Sequence, residues 1–336
     1  MSDEPLLLDG TRLTLADVRR VAYGVVRSVE LSPDARRAMA RSRAFVEAQV
    51  AAGTPVYGVT TGFGRMAEKF ITPQQRTSLQ TNLIRSHAVG LGHPLSAPEV
   101  RALILLRVNA LSRGHSGIRP EVVERLLSLL ERQWIPRVPS AGSVGASGDL
   151  APLAHVALAL LGEGDIDDGG GFRPAGVVLA EGGWEPIELE AKEGLALING
   201  TQATTALGTL ACLAAQDVLE ALEAAGAMSL ESLQGSPDAF QPEVGRVRPH
   251  PGQVRSAARL LALLRDSEIR ESHRDDDPRL QDAYSLRCMP QVHGAAQQAL
   301  DYTASVLETE ANSVTDNPLI FPEDGVVTSA GNFHAQ

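Results

Sequence analysis

Apolar residues recur three and four positions apart along most of the chain, the spacing that keeps them on one face of an α-helix. Thr14 precedes such a run through Val18, Val21 and Ala22. Ser32-Pro33, then Ala35 to Ala52, then Gly53 carries complete helix punctuation: a side-chain acceptor at the N-cap, proline in the first turn and glycine past the end. Thr72-Pro73 opens a helix of the same design. Ser96-Ala97-Pro98-Glu99 has capping-box spacing ahead of Val100, Leu103, Ile104, Leu106 and Val108, and Pro120 starts a further helix through Leu126, Leu127, Leu129 and Leu130.

Two changes of pattern divide the chain. Between Gly162 and Gly194 glycines are frequent, and the short runs Gly176 to Ala180 and Pro186 to Leu189 have a β-like composition, so a small hairpin or surface excursion is expected. Beyond Thr201 the sequence is rich in alanine and leucine. Ala203 to Leu233, Gln253 to Leu264 and Gln291 to Val314 read as helices with apolar faces broad enough for a bundle. The charged stretch Arg270 to Arg279 reads as a solvated loop; its Asp275-Asp276-Asp277 run lacks the glycine and closing glutamate of an EF-hand. The predicted fold is mainly α: a helical region over residues 1–200, then part of a long helical bundle over residues 201–336.

Composition narrows the chemistry more than the fold. With 30 basic and 41 acidic side chains the net charge is −11, and no basic block is present, so a small molecule is a better partner than nucleic acid or an anionic membrane. The apolar stretch Leu150 to Leu161 contains Pro152 and His155 and is too short to cross a bilayer, so no transmembrane segment is expected. The opening MSDEPLLLDG is acidic where a secretion signal is basic. Cys212 and Cys288 stand outside any Cys-x-x-Cys spacing, which argues against a disulfide framework or a zinc site, and the cytoplasm is the expected compartment. Phosphate-loop, dinucleotide and nucleophile-elbow motifs are absent, and the eight histidines show no His-Glu-x-x-His spacing, so no metal is expected. Pyridoxal phosphate requires a Schiff-base lysine, and the only lysines, Lys69 and Lys192, lie in unsuitable contexts.

Ser140 to His155 carries the chemistry. It reads Ser-Ala-Gly-Ser-Val-Gly-Ala-Ser-Gly-Asp-Leu-Ala-Pro-Leu-Ala-His, locally a tight turn capped by Asp149 with Pro152 in the first helical turn. Its order resembles the signature of the aromatic amino acid ammonia-lyase family, in which an Ala-Ser-Gly triplet cyclises into a methylidene-imidazolone, here Ala146, Ser147 and Gly148. Glycine leaves the attacking nitrogen of Gly148 unhindered, Ala146 keeps its carbonyl accessible, and Ser147 supplies the hydroxyl that is eliminated. The resemblance covers nearly the whole chain. Val56 to Gly64 (VYGVTTGFG), Ile198 to Gln202 (INGTQ), Gln281 to Cys288 (QDAYSLRC), Thr315 to Pro318 (TDNP) and Gly331 to His334 (GNFH) look like further family segments in the same order. Arg85-Ser86-His87-Ala88 and Asn332-Phe333-His334 are most similar to the histidine ammonia-lyases.

The resemblance implies a non-oxidative elimination of ammonia from L-histidine to give trans-urocanate, with a protein-derived methylidene-imidazolone and neither pyridoxal phosphate nor metal. It implies catalytic roles for Ala146, Ser147, Gly148, Tyr57 and Tyr284, one tyrosine removing the β-proton. A phenol has an unperturbed pKa of about 10, so that role requires a field favouring phenolate. Arg287 is expected to hold the substrate carboxylate by a two-pronged contact. Asn199 is expected to bond the imidazolone or amine, and His87 the substrate imidazole, with Gln281 and Phe333 lining the site. Locally, Asn199 also reads as a turn residue before Gly200, and His87 as a polar helix end.

Family members run beyond the equivalent of Gln336, through more bundle helices and a glutamate near the substrate ring, and assemble as homotetramers whose sites combine three subunits. A C-terminally truncated lyase, with low or absent turnover on its own, is therefore the expectation. The alternatives are a phenylalanine or tyrosine lyase or aminomutase on the same scaffold, and an inactive helical assembly protein in which the triplet is an ordinary turn.

Overall fold

The computed structural model describes residues 4–56, 58–61, 73–275, 277 and 279–332. These form two compact units, Met1–Thr209 with Leu307–Gln336, and Leu210–Val306. The division differs from a single boundary near residue 200. The closing segment returns to the first unit because its polar groups pair there: the Asn312 carboxamide accepts from Leu13 N–H at 2.9 Å and donates to Leu13 C=O at 2.8 Å, and Ile320 N–H donates to His115 C=O at 2.9 Å.

The first unit runs β1 (Leu6–Leu8), α1 (Leu15–Ala22), β2 (Val29–Leu31), α2 (Pro33–Ala52), α3 (Pro73–His87), β3 (Leu91–Pro94), α4 (Ala97–Ser112), α5 (Pro120–Glu131), β4 (Ile135–Pro136), β5 (Pro139–Ala141), α6 (Leu150–Leu160), β6 (Asp165–Asp167), β7 (Phe172–Pro174), α7 (Ala175–Glu181), α8 (Glu193–Ile198) and the start of α9 (Gln202–Ser232). The helix punctuation works as its residue types dictate. Ser32 Oγ accepts from Ala35 N–H at 3.1 Å and Gly53 closes α2 at φ 66°, while the Glu99 carboxylate accepts from both the Ser96 N–H and hydroxyl at 2.7 Å. From Ala102 to Ser112 α4 is buried on every side, and α1, α2 and α5 pack around it.

The glycine-rich region corrects the sequence reading in detail. The hairpin lies earlier, at β6–β7, turning through Gly169 and Gly171. Gly176–Ala180 is helical, inside α7: its valine pair suggests a strand, but Ala175, Val178 and Leu179 sit three and four apart on one buried face. Pro186 to Leu189 forms no strand.

In the second unit α9 continues, followed by a 3₁₀ turn (Pro237–Phe240), α10 (Pro242–Val247), α11 (Pro251–Leu263), α12 (Glu268–Ser272), α13 (Tyr284–Arg287) and α14 (Met289–Ala311). Leu230, Phe240, Leu260, Leu286 and Met289 form its core. The charged stretch after Glu268 is thus helical for one turn before it becomes loop. From Leu307, in the last turns of α14, the chain belongs to the first unit again, and it then forms the hairpin β8 (Leu319–Phe321) and β9 (Val326–Thr328).

Glu193–Ser232 is long and apolar enough, by length and composition, to cross a membrane, which the expectation built on Leu150 to Leu161 overlooked. The stretch breaks at Asn199-Gly200-Thr201 into α8 and α9, and the exposed Glu220 of α9, with Glu223, pairs with Arg259 at 3.1 and 3.2 Å. These are the features of a bundle helix with one polar side.

Candidate active site

Three helices set the frame. α3, α6 and α8 pack pairwise on one another, and Gln80 of α3 accepts a hydrogen bond from Gly194 N–H of α8 at 2.9 Å. α3 ends at His87, α6 begins directly after the Ala146-Ser147-Gly148 triplet, and α8 ends just before Asn199. β3, leaving the α3 end, pairs antiparallel with β5, which leads into the triplet. A Cβ on Gly142 would lie 3.1 Å from both Gly90 Cα and Ala151 Cβ, so the chain after His87 lies directly against the approach to the triplet.

His87 Nδ1 lies 2.8 Å from Leu83 C=O. A carbonyl only accepts, so Nδ1 carries a proton here, and Nε2 is the ring nitrogen not engaged in this bond. On α6, His155 Nε2 accepts from Gly90 N–H at 3.1 Å and therefore must stay unprotonated. Burial holds the His155 pKa below its usual 6.5. The unfolded chain takes up this proton near 6.5 and the folded chain only at lower pH, so the His155 contribution is full above 6.5 and declines as the pH falls below it. The thermal midpoint should drop on acidification from about pH 7 to about pH 5.5, and His155→Gln, which keeps an acceptor but cannot titrate, should flatten that drop. An unchanged slope in the variant would show that other groups carry it.

The triplet is conformationally unusual. Ser147 has φ 71°, a left-handed conformation costing a non-glycine residue about 1 kcal/mol or more, between Gly145 at 65° and Gly148 at 97°. Ala146 and Ser147 are exposed; Gly148 and Asp149 are buried. Gly148 lies so close to Gly200 that a Cβ would fall 2.6 Å from Gly200 C=O and 2.7 Å from its nitrogen, and Asp149 N–H donates to the same carbonyl at 2.6 Å. Asp149 stands at the N-cap of α6, yet its side chain makes no cap bond. Instead its carboxylate accepts from Ser143 Oγ at 2.6 Å and from the N–H and hydroxyl of Thr204 at 2.8 and 3.0 Å, tying the turn to α9. Asp149 thus occupies the expected cap position, while its side chain braces the turn instead of the helix end.

Behind Gly200 lies a buried polar network. Asn199 Nδ2 donates to Asn317 C=O at 3.0 Å, and its Oδ1 accepts from Asn332 Nδ2 at 2.8 Å, which uses one hydrogen and one lone pair of the carboxamide. Fully buried Lys192 donates to Asp316 Oδ2 at 2.8 Å, and Asp316 Oδ1 accepts from Asn317 N–H at 2.6 Å. Arg107, also fully buried, reaches Ala196 C=O, Gln202 Oε1 and Thr315 C=O. Burial brings its pKa down to about 10, with Asp316 opposing, so it is charged at neutral pH; burial likewise pushes the Lys192 ammonium down while Asp316 pulls it up. Asp149, Lys192, Asp316 and Arg107 were given no functional part by the sequence reading. A lysine kept in a chain that has only two, and an aspartate inside the TDNP segment, were the available signals.

The second unit holds Gln281, Tyr284 and Arg287. Gln281 and Tyr284 are exposed, Tyr284 at 72%. The Arg287 guanidinium carbon sits 4.1 Å from the centre of the Tyr284 ring, and its buried Nε makes no hydrogen bond among the described residues. α13 brings the two together three residues apart on one turn. Tyr57 and Phe333 lie outside the described residues. Among the described residues no group of three metal-ligating side chains converges.

A sequence profile for aromatic amino acid lyases matches residues 13–336. The chain belongs to this lyase family. It is 51% identical to the histidine ammonia-lyase of Anaeromyxobacter sp. (strain K) over 99% of its own length and 67% of that relative's. Its fold matches the tyrosine aminomutase of Streptomyces globisporus with a TM-score of 0.91 and 40% identity, over 99% of this chain and 66% of that one. The histidine ammonia-lyase of Trypanosoma cruzi matches with a TM-score of 0.88 and 43% identity, over 99% and 61%. The chain thus spans about two thirds of the length of the curated relatives it matches, at 67% and 66% for the first two. The mainly helical architecture is that of the ammonia-lyases and aminomutases of this family.

Proposed function

We propose that the protein eliminates ammonia from L-histidine to give trans-urocanate, using an electrophile made from Ala146-Ser147-Gly148. The observation that carries this reading is the triplet itself: Ser147 exposed and held left-handed at φ 71°, followed by a glycine packed directly against the Gly200 backbone, in a chain 51% identical to a histidine ammonia-lyase. The residues fit the methylidene-imidazolone. A bent, solvent-facing serine and an unbranched Gly148 are what ring closure and hydroxyl loss require, and the N-terminus of α6 directs positive potential toward the turn. That group, once formed, supplies an electrophile for an amine.

The other roles fall to ordinary side chains. Arg287 pairs with the substrate carboxylate, His87 meets the imidazole through its Nε2, and Tyr57 or Tyr284 takes the β-proton. Asn199 orients the amine or the imidazolone through its remaining hydrogen-bonding capacity, and Gln281 and Phe333 line the site. We further propose a homotetramer working in the cytoplasm. The likeness to a tyrosine aminomutase favours, as the second reading, an aromatic substrate other than histidine.

Intact mass tests the first step directly. The purified chain is expected to weigh less than its sequence by two waters, and Ser147→Ala to restore the full mass and to remove whatever urocanate formation from L-histidine, read by ultraviolet absorbance, the wild-type chain shows, low turnover being expected at this length. A wild-type chain of unmodified mass would remove the enzymatic reading, and conjugated product from tyrosine or phenylalanine but not histidine would select the second.

A further inference from the structure

We infer that Lys192 is a positioning residue for the Ala146-Ser147-Gly148 turn: through Asp316 and Asn317 it fixes the Asn199-Gly200 turn on which Gly148 rests. The inference deepens the reading proposed above and rests on it. The relay is continuous and buried. Lys192 Nζ holds Asp316 Oδ2 at 2.8 Å, and Asp316 Oδ1 holds Asn317 N–H at 2.6 Å. The Asn317 carbonyl then holds Asn199 Nδ2 at 3.0 Å, and Asn317 Oδ1 accepts from Ala330 N–H at 2.9 Å. Gly200 follows Asn199, and its carbonyl takes the Asp149 N–H that immediately succeeds the triplet.

Two observations mark Lys192 as more than filler. It sits at φ 74° ahead of α8, a left-handed conformation that a non-glycine residue keeps only when its surroundings demand it, and its side chain is wholly enclosed. A buried ion pair is also a poor source of net stability, because desolvation offsets the attraction; an apolar pair of similar volume often does as well. What ammonium and carboxylate add is direction. Each carboxylate oxygen has its own partner, so turning Asp316 or shifting the Asn317 backbone breaks a charge-assisted bond.

The step that depends on this placement is ring closure. The Gly148 nitrogen adds to the Ala146 carbonyl carbon; that oxygen leaves as water with the hydrogens of the Gly148 and Ser147 nitrogens. The Ser147 hydroxyl leaves with its Cα hydrogen as the second water, and no oxidant is needed. An intramolecular attack of this kind responds steeply to misplacement of the attacking nitrogen.

The test follows water loss over time by intact mass in freshly expressed chain, with the thermal midpoint measured alongside. The variants are Lys192→Met, Asn199→Ala, their combination, and Lys192→Met with Asp316→Asn, which removes both charges and leaves no buried carboxylate unpaired. Lys192→Met is expected to slow water loss roughly tenfold, and to add much less than that in the Asn199→Ala background, since both act on one turn. The neutral pair is expected to recover the thermal midpoint yet remain slow. Independent, multiplicative effects of Lys192→Met and Asn199→Ala, or a folded neutral pair that cyclises at the wild-type rate, would overturn the inference and leave the proposed function standing. A wild-type chain that loses no water would overturn both.

Discussion

Gly148→Ala should cost the first unit far more stability than glycine-to-alanine substitution normally does, and should leave the triplet uncyclised. Two separate penalties meet at this position. At φ 97° an alanine is strained by about 1 kcal/mol or more. Its Cβ would also fall 2.6 and 2.7 Å from the Gly200 backbone, and backbone cannot rotate aside as a side-chain tip can. Gly200 has no room to retreat, because its own Cα faces Arg107, Gln202 and the Thr315 carbonyl. Gly169 provides the internal control. Its φ is 103°, nearly the same, but nothing lies within 4 Å of a Cβ placed there, so Gly169→Ala reports conformational strain alone. Chemical denaturation should show Gly169→Ala losing about 1 kcal/mol and Gly148→Ala about 3 kcal/mol or more. Equal losses would mean that the turn yields, and that Gly148 is held to Gly200 less tightly than the distances indicate.

What could be read from the sequence was whatever a few neighbouring residues decide. α2 needed only Ser32-Pro33 at one end and Gly53 at the other, and α4 only the three-residue interval between Ser96 and Glu99. The triplet and the INGTQ turn were legible for a related reason: each is a short contiguous segment whose order, more than its composition, is informative. Where a short segment's fold is set by burial against something distant, the reading failed. The β-branched pair in Gly176–Ala180 suggests a strand, but packing of Val178 and Leu179 decides for helix.

The polar network escaped for a stronger form of the same reason. Lys192 and Asp316 stand 124 positions apart, Arg107 and the Thr315 carbonyl 208, and Asn199 and Asn332 133. Nothing in the local pattern around Lys192 distinguishes a buried lysine from a solvated one beside Glu193. The return of residues 307–332 to the first unit was hidden likewise, since α14 reads as a bundle helix to its end. Asp149 shows the intermediate case: its position before a helix is a local cue for capping, and its bonds to Ser143 and Thr204 depend on α9 arriving beside the turn.

Arg107→Met is expected to be among the most destabilising substitutions in the chain, by about 3 kcal/mol or more in urea unfolding. Arg107 lies on the buried helix α4, and its guanidinium is the common partner of three elements: the Ala196 carbonyl of α8, the Gln202 side chain at the start of α9, and the Thr315 carbonyl in the returning segment. Methionine fills similar space but offers no donor, so the Ala196 and Thr315 carbonyls and the Gln202 carboxamide oxygen lose this partner, and among the described residues Asp316 keeps only its ion pair with Lys192. Arg107→Lys should recover less than half of the loss. An ammonium at the end of a flexible stem delivers its hydrogens to one point, whereas these acceptors are spread around a planar fork. With a pKa still near 10 the guanidinium stays protonated throughout the neutral range, so the deficit of Arg107→Met should be the same at pH 7 and pH 8. A lysine variant as stable as wild type would show that charge alone, without the fork, holds α4, α8 and the returning segment around Gly200.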